Sequence, residues 1–308
     1  MSNTTIRESL PDRLFLAGVY VFLTLILVII LFPLLHILSA SFSSPQAVNS
    51  GQVWIFPVEF TLAGYKAVFA NSNILIGYAN SIFYAVFGTL VNVVMTVLIA
   101  YPLSRTTFYG RHLLMMLLVF TMLFDGGLIP NYMVVKSLGL IDTRWAMIIP
   151  GALAVFQVII ARTFFQSSIP EELSEAAEID GCSDIRFITS VVLPLSKPIL
   201  AVMTLMYAVG HWNSYFGALI YLKSPDMFPL QIVLRNILIL NSVDPAMMAN
   251  VDDMLQLQGI AELLKYSLIV VASAPVLMIY PFVQKHFVKG VLIGSLKRVT
   301  RHALCISI

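Results

Sequence analysis

Charge is scarce in this chain, and its scarcity excludes a soluble fold. Of 308 residues, 18 are Lys or Arg and 16 are Asp or Glu, while 59% are hydrophobic and the mean hydropathy is +0.89, well outside the range of soluble domains. Cysteine is scarcer still. Cys182 and Cys305 are too few for a disulfide framework or a four-thiolate metal site. No G-x-x-x-x-G-K-[ST] loop occurs, so the usual device for cradling nucleotide phosphates is missing. Internal repeats, low-complexity tracts and soluble stretches longer than a loop are absent too. That leaves a membrane bundle as the one expected domain. The net charge of +2 says nothing about partners, and no nucleic-acid partner is expected.

What is present is a set of charge-free apolar runs at 14–35, 78–104, 113–124, 145–161, 198–222 and 266–284. Crossing the roughly 30 Å hydrocarbon core takes about 17 to 25 helical residues, so the fold class is an all-α integral membrane protein with six transmembrane helices. The third run is short and needs to continue past Asp125, Gly126 and Gly127 to about Ile129. The first run is too long for a signal-peptide core, and no small-residue cleavage site follows promptly, so it is expected to be retained. Sorting Lys and Arg by alternate loops gives twelve against six, and the positive-inside rule then places both termini in the cytoplasm. The expected layout is a cytoplasmic N-terminus (1–13), a six-helix transmembrane domain (14–284) and a cytoplasmic tail (285–308). The chain is expected to be multi-pass in the cell inner membrane, in contact with lipid.

A charged, punctuated segment at 171–194 interrupts the apolar pattern between the fourth and fifth runs, on the expected cytoplasmic side. Pro170 suits a helix start, and Glu171, Glu172 and Glu175 follow at the positive end of the helix dipole. Leu173, Ala176, Ala177 and Asp180 fall on related faces, the paired alanines forming a low surface. Gly181 permits a left-handed turn. A second helix runs from Ser183 to a stop at Leu193–Pro194, where proline disfavours continuation. On these features alone the segment is either an ordinary helical loop or a docking helix.

The spacing decides more. Glu175, Ala176, Ala177, Gly181, Val191, Leu193 and Pro194 resemble the EAA signature of ABC importer permeases, with valine at the aliphatic position that is usually isoleucine. The resemblance extends to the carbohydrate-uptake group through Phe56–Pro57, Asn80–Ser81, Gly127 to Pro130, Leu138 to Leu140 with Asp142–Thr143, and Trp212–Asn213 with Tyr215. Its look is similar to permeases for complex oligosaccharides, alginate included. Residues 298–308 have no counterpart in the pattern.

The resemblance implies a heterodimer with a second permease subunit, two cytoplasmic ATPase subunits carrying ATP and Mg, and an external solute-binding protein. No cofactor is expected on this chain, and the chain is not an enzyme. Glu175, Ala176, Ala177, Asp180 and Gly181 are the implied ATPase contact, with Leu193 and Pro194 setting the angle back into the membrane. Residues 289–297 either reach the ATPase or anchor to anionic lipid. The external loop 223–265, carrying Asp244, Asp252, Asp253 and Glu262, is expected to probe the binding protein.

Polar and aromatic residues inside spans are costly in lipid and turn inward. Asn92, His211, Trp212, Asn213, Ser214 and Tyr215 therefore line an oligosaccharide path, or else make interhelical hydrogen bonds or an interfacial belt. His36 reads as packed or interfacial rather than ligating. An ion-coupled secondary transporter is the rival class. It would need inverted repeats and a buried acid, and Asp125, near a span end, is the one acid inside a run. An intramembrane enzyme lacks a converging nucleophile and base.

Overall fold

The computed structural model describes residues 9–240 and 259–279. Expectations for residues 285–308, including the tail at 289–297 and Cys305, and for Asp244, Asp252 and Asp253, lie outside the described residues. Regular structure among the described residues is helical throughout. In chain order the helices are α1 (Leu10–Ser41), α2 (Pro45–Asn49), α3 (Ala63–Ala70), α4 (Ser72–Ser104), α5 (Arg111–Leu123), α6 (Leu128–Ser137), α7 (Val155–Ser168), α8 (Glu171–Ile179), α9 (Asp184–Leu195), α10 (Lys197–Trp212), α11 (Phe216–Tyr221), α12 (Leu230–Arg235) and α13 (Gly259–Ile279). Within α4 a π turn occupies Tyr84–Gly88, and within α9 another occupies Ile188–Val192.

Three helices, α1, α4 and α13, are each long and apolar enough to cross a bilayer. Two bent pairs, α5 with α6 at 115° and α9 with α10 at 85°, are long and apolar enough only when each pair is taken together, as a broken span or a re-entrant loop. Helix α7, with 14 residues, is about 21 Å long at 1.5 Å per residue, short of the hydrocarbon thickness.

These breaks correct four expectations. The third run does not continue as straight helix past Asp125, because α5 ends at Leu123, the Asp125 carboxylate accepts from Gly127 N–H and Asn131 Nδ2, both at 3.2 Å, and the chain resumes as α6 after a 115° bend. The fourth run is not α-helical from Trp145. A short 3-10 helix at Arg144–Met147 ends before Pro150 and Gly151, and α-helix begins only at Val155 and runs on to Ser168. The fifth run breaks after Trp212, where Asn213 caps α10. Finally, Pro194 does not stop its helix, which persists to Leu195. The π turn lets Leu193 N–H reach back to Ile188 O, and Pro194 then enters the first turn of the resumed α-helix, where its missing N–H costs nothing.

The described residues gather into two compact units, one of 9–71, 237–240 and 259–272, the other of 72–236 and 273–279. In the first, Ser9 and Asp12 form a capping box at the start of α1. Large side chains of α1 from Leu10 to Leu38 lie exposed on all sides, as a lipid-facing helix requires. A small core of Ala40, Ala47 and Val53 carries Val58 and Tyr266 against it. His36 is packed as expected, with Nδ1 3.2 Å from the Trp54 carbonyl and its ring edge-on to Tyr266.

The second unit holds the main core. Val97, Ala100 and Tyr101 of α4 meet Val158, Ala161 and Phe165 of α7, Phe187 and Val192 of α9, and Met203 and Tyr207 of α10. Burying each such side chain contributes about 1.5 to 3 kcal/mol against water. In lipid the gain comes from close packing.

Candidate functional site

Helix α8 is fixed at both ends, which makes its outer side a rigid surface. At its start Glu171 Oε1 accepts from Thr106 N–H at 3.2 Å. The Thr106 hydroxyl first, then that amide, hold the Glu171 carboxyl below the usual carboxylate range, with Arg105 and Arg111 adding attraction. At its end Cys182 N–H bonds Ala177 O at 2.9 Å and Gly181 N–H bonds Glu178 O at 3.0 Å. Gly181 has φ +69, so the turn is a Schellman motif that satisfies two orphan carbonyls. Nothing lies within 4 Å of where a Gly181 side chain would start. Backbone torsion alone demands glycine there.

The two alanines do not share a surface. Ala177 turns inward with Cys182 onto the core that includes Tyr101, Phe165 and Phe187, while Ala176 is exposed. Glu175, Asp180 and Gly181 are exposed as expected. Sequence reading missed two residues that complete this surface, Ile179 at 86% exposure and Ile185 at 77%. These isoleucines stand bare beside six acidic positions between 171 and 184. Leu193 packs on the core at the far end, and Pro194 beside it is exposed.

Behind α8 the end of α4 is tied down by arginines. Arg105 is 7% exposed, its guanidinium 5.0 Å from the Tyr101 ring centroid and Nη1 reaching the Ile169 carbonyl at 3.5 Å. Arg162 Nε donates to Leu103 O at 2.9 Å, and Arg111 Nη1 to Arg105 O at 3.0 Å.

The residues expected on a substrate path divide. Asn92 and His211 come together, with Asn92 Oδ1 2.6 Å from His211 Nε2 and Asn92 Nδ2 donating to Gly151 O at 2.5 Å. One turn further along each helix, the Thr96 and Tyr207 hydroxyls meet at 2.7 Å. These two pairs bridge α4 and α10, the interhelical hydrogen bonding that the sequence left open. Trp212 is buried edge-on to Tyr78, at 5.4 Å between ring centroids. Asn213 Nδ2 turns back to Val209 O at 3.0 Å and is exposed, while Ser214 and Tyr215 sit half-buried in the break before α11.

At the opposite end of α4, Asn80 Nδ2 donates to Asp226 O at 2.7 Å and Phe228 O at 3.1 Å, Ser81 Oγ accepts from Leu230 N–H at 2.8 Å, and Tyr84 Oη donates to Met227 O at 2.8 Å. The motif Asn80–Ser81 is thus a latch for the segment entering α12. Asp142 is a second latch. Its Oδ1 accepts from Lys223 N–H at 2.7 Å and Ser224 N–H at 2.8 Å, and its Oδ2 from Ser224 Oγ at 2.6 Å.

The Ser224 hydroxyl first, then those amides, hold the Asp142 carboxyl below its ordinary range. A depressed carboxyl stabilises the fold above the unfolded value, about pH 3.9, and that contribution is lost as pH falls through the lower folded value. Proteolytic cleavage in the 223–229 segment is therefore expected to rise on acidification below about pH 4 in the native chain. Asp142→Asn should raise it already near neutral pH, and unchanged cleavage would show the latch to be idle.

Residues 73–293 match the family described as "Binding-protein-dependent transport system inner membrane component". Protein LplC of Bacillus subtilis (strain 168) is 46% identical over 269 residues, covering 87% of this chain and 90% of that protein. The polygalacturonan/rhamnogalacturonan transport system permease protein YtcP of the same organism is 43% identical over 289 residues, 94% of this chain and 100% of that one. Among solved structures, a chain of a bacterial ABC transporter involved in the import of the acidic polysaccharide alginate aligns with TM-score 0.83 at 34% identity, covering 92% of this chain and 100% of its own.

Proposed function

Because the chain belongs to the family of binding-protein-dependent transport system inner membrane components, as a permease of an oligosaccharide ABC importer, we propose that α8 is the surface through which ATP hydrolysis on two partner ATPases moves its spans. The permease is a multi-pass membrane component and not an enzyme. ATP and Mg act on the partners, and this chain carries no cofactor. The observation that carries the proposal is the rigid, acid-rimmed face of Glu175, Ala176, Ile179, Asp180 and Ile185, clamped at Thr106 and at the Gly181 turn. A partner cleft closing on that face transmits force to α4 and α7 through Ala177 and Cys182, which pack on their shared core.

The rest of the assembly follows from the same reading. Six crossings place both termini in the cytoplasm with α8 between the fourth and fifth. A second permease completes the pathway. An external solute-binding protein delivers the sugar to the side carrying the Asn80 and Asp142 latches. The substrate is an acidic oligosaccharide of the alginate type, supported by the alginate importer's 34% identity and by the polygalacturonan relative.

The test is mild-detergent purification of the tagged chain from its own membrane. Recovery of a sister permease and an ATPase pair, with hydrolysis raised several-fold by one binding protein plus an acidic oligosaccharide, is expected. A stable chain that purifies alone and without ATPase sinks the importer mechanism and returns the ion-coupled transporter. Stimulation by neutral sugars alone would overturn the acidic substrate.

A further inference from the structure

The apolar groove between α4 and α5 has no part in the coupling surface or the polar crossing. It encloses about 420 Å³ and is walled by Leu98, Pro102, Phe108, Leu114, Leu117 and Thr121. Its polar group is already satisfied, for Thr121 Oγ1 donates to Leu118 O of its own helix at 2.7 Å. The groove therefore makes no demand for water. No residue of α5 is buried, so the groove opens away from the core. Its occupant is apolar over roughly two helical turns.

The mouth is of opposite character. Leu103 and Phe108 line the end of the groove, and Arg162 Nε holds the Leu103 carbonyl while Arg111 Nη1 holds the Arg105 carbonyl. Arg162 spends one donor on that backbone and Arg111 spends two, Nη1 there and Nε on His112 Nε2, so each of the five-donor guanidiniums keeps others for a ligand. His112 lies against Arg111 at 3.4 Å, and Tyr109 beside them is 98% exposed, as an interfacial aromatic is. Glu171, which Arg105 and Arg111 attract, is committed to Thr106. By the positive-inside rule this end faces the cytoplasmic leaflet, where anionic lipid resides.

We propose that the α4–α5 groove is a binding site for an anionic phospholipid, with one acyl chain along Leu98 to Thr121 and the phosphate at Arg111 and Arg162. Tight packing of an acyl chain there braces the end of α4 that supports α8. The site rests on placement in the membrane and not on the sugar or the ATPases, so lipid retention and sugar uptake can fail independently.

The experiment purifies the intact importer in mild detergent and quantifies phospholipid per complex by mass spectrometry. Three variants are compared with the native chain: Arg111→Gln at the mouth, Leu117→Trp to fill the groove, and Leu27→Trp on α1 as a lipid-facing control. Native complex should retain phosphatidylglycerol or cardiolipin above its share of the membrane. Arg111→Gln should lose about fivefold of it, the change one arginine makes at an anionic surface, Leu117→Trp should lose it by blocking the groove, and the control should keep it. Unchanged retention in either groove variant, or retention of zwitterionic lipid instead, overturns the proposal. So does efficient disulfide trapping of Thr121→Cys to the sister permease, which would mean that a helix and not a lipid fills the groove.

Discussion

Replacing Gly181 by valine is expected to cut sugar uptake at least tenfold and to release the ATPase subunits during purification, while the permease itself stays folded. The backbone at this position has φ +69 in open space. An L side chain there costs about 1 to 2 kcal/mol, and a β-branched one lies at the upper end. No neighbour is displaced, so the core is untouched. What is lost is the pair of hydrogen bonds from Gly181 and Cys182 that end α8, and with them the fixed presentation of Ile179 and Asp180. Asparagine tolerates the left-handed region. Gly181→Asn should accordingly keep most of the uptake that Gly181→Val loses. Equal loss in both variants would mean that the position reads a side chain's bulk and not its torsion. Uptake of labelled oligosaccharide and ATPase recovery, measured side by side, separate the outcomes.

The second large effect is expected at Gly88, where a methyl group would lie 2.4 Å from His211 Nε2 and 2.5 Å from its Cε1. The imidazole has no free direction to move, since Nε2 is engaged by Asn92, which is itself tied to Gly151. Gly88→Ala should therefore separate α4 from α10 and destabilise the chain by about 1 to 3 kcal/mol, the usual range for overpacking. Removing the obstructing ring should restore much of it. Thermal unfolding of Gly88→Ala, His211→Ala and the double variant forms a cycle in which the double variant is more stable than the sum of the two losses. Additive losses would place the clash elsewhere.

Legibility in the sequence followed the range of the forces involved. The α8 unit was readable because proline, glycine and first-turn acids act over three or four residues. Its termination at Gly181 and the exposure of Glu175 and Asp180 are as the local signals require. The inward turn of Ala177 depends on where the core of α4 and α7 lies, which no local signal carries. Hydropathy located apolar runs but averaged over Asp125–Gly127, Pro150–Gly151 and Asn213–Tyr215, so breaks read as continuous helix. Thr96 and Tyr207 went unnoticed because a hydroxyl in a span looks unremarkable until its partner 111 positions away is in view. Asn92 and His211 could be named but not paired for the same reason. Ile179 and Ile185 went unnamed, because no local signal tells an exposed isoleucine from a buried one. Their isolation is a tertiary fact.

The antiparallel crossing of α4 and α10 carries Asn92 opposite His211 and Thr96 opposite Tyr207, each pair separated from the next by four residues. Four residues is close to one helical turn, about 5.4 Å of travel. Sliding one helix by a full turn would bring Thr96 to His211 or Asn92 to Tyr207, again a bonded partner, while any smaller slide breaks both bonds between the helices. The interface therefore behaves as a notched shaft rather than a sliding bearing. Motions of less than a notch must carry α4 and α10 together as a single stiff piece, with the bend between α9 and α10 and the gap after Trp212 left as the joints that give.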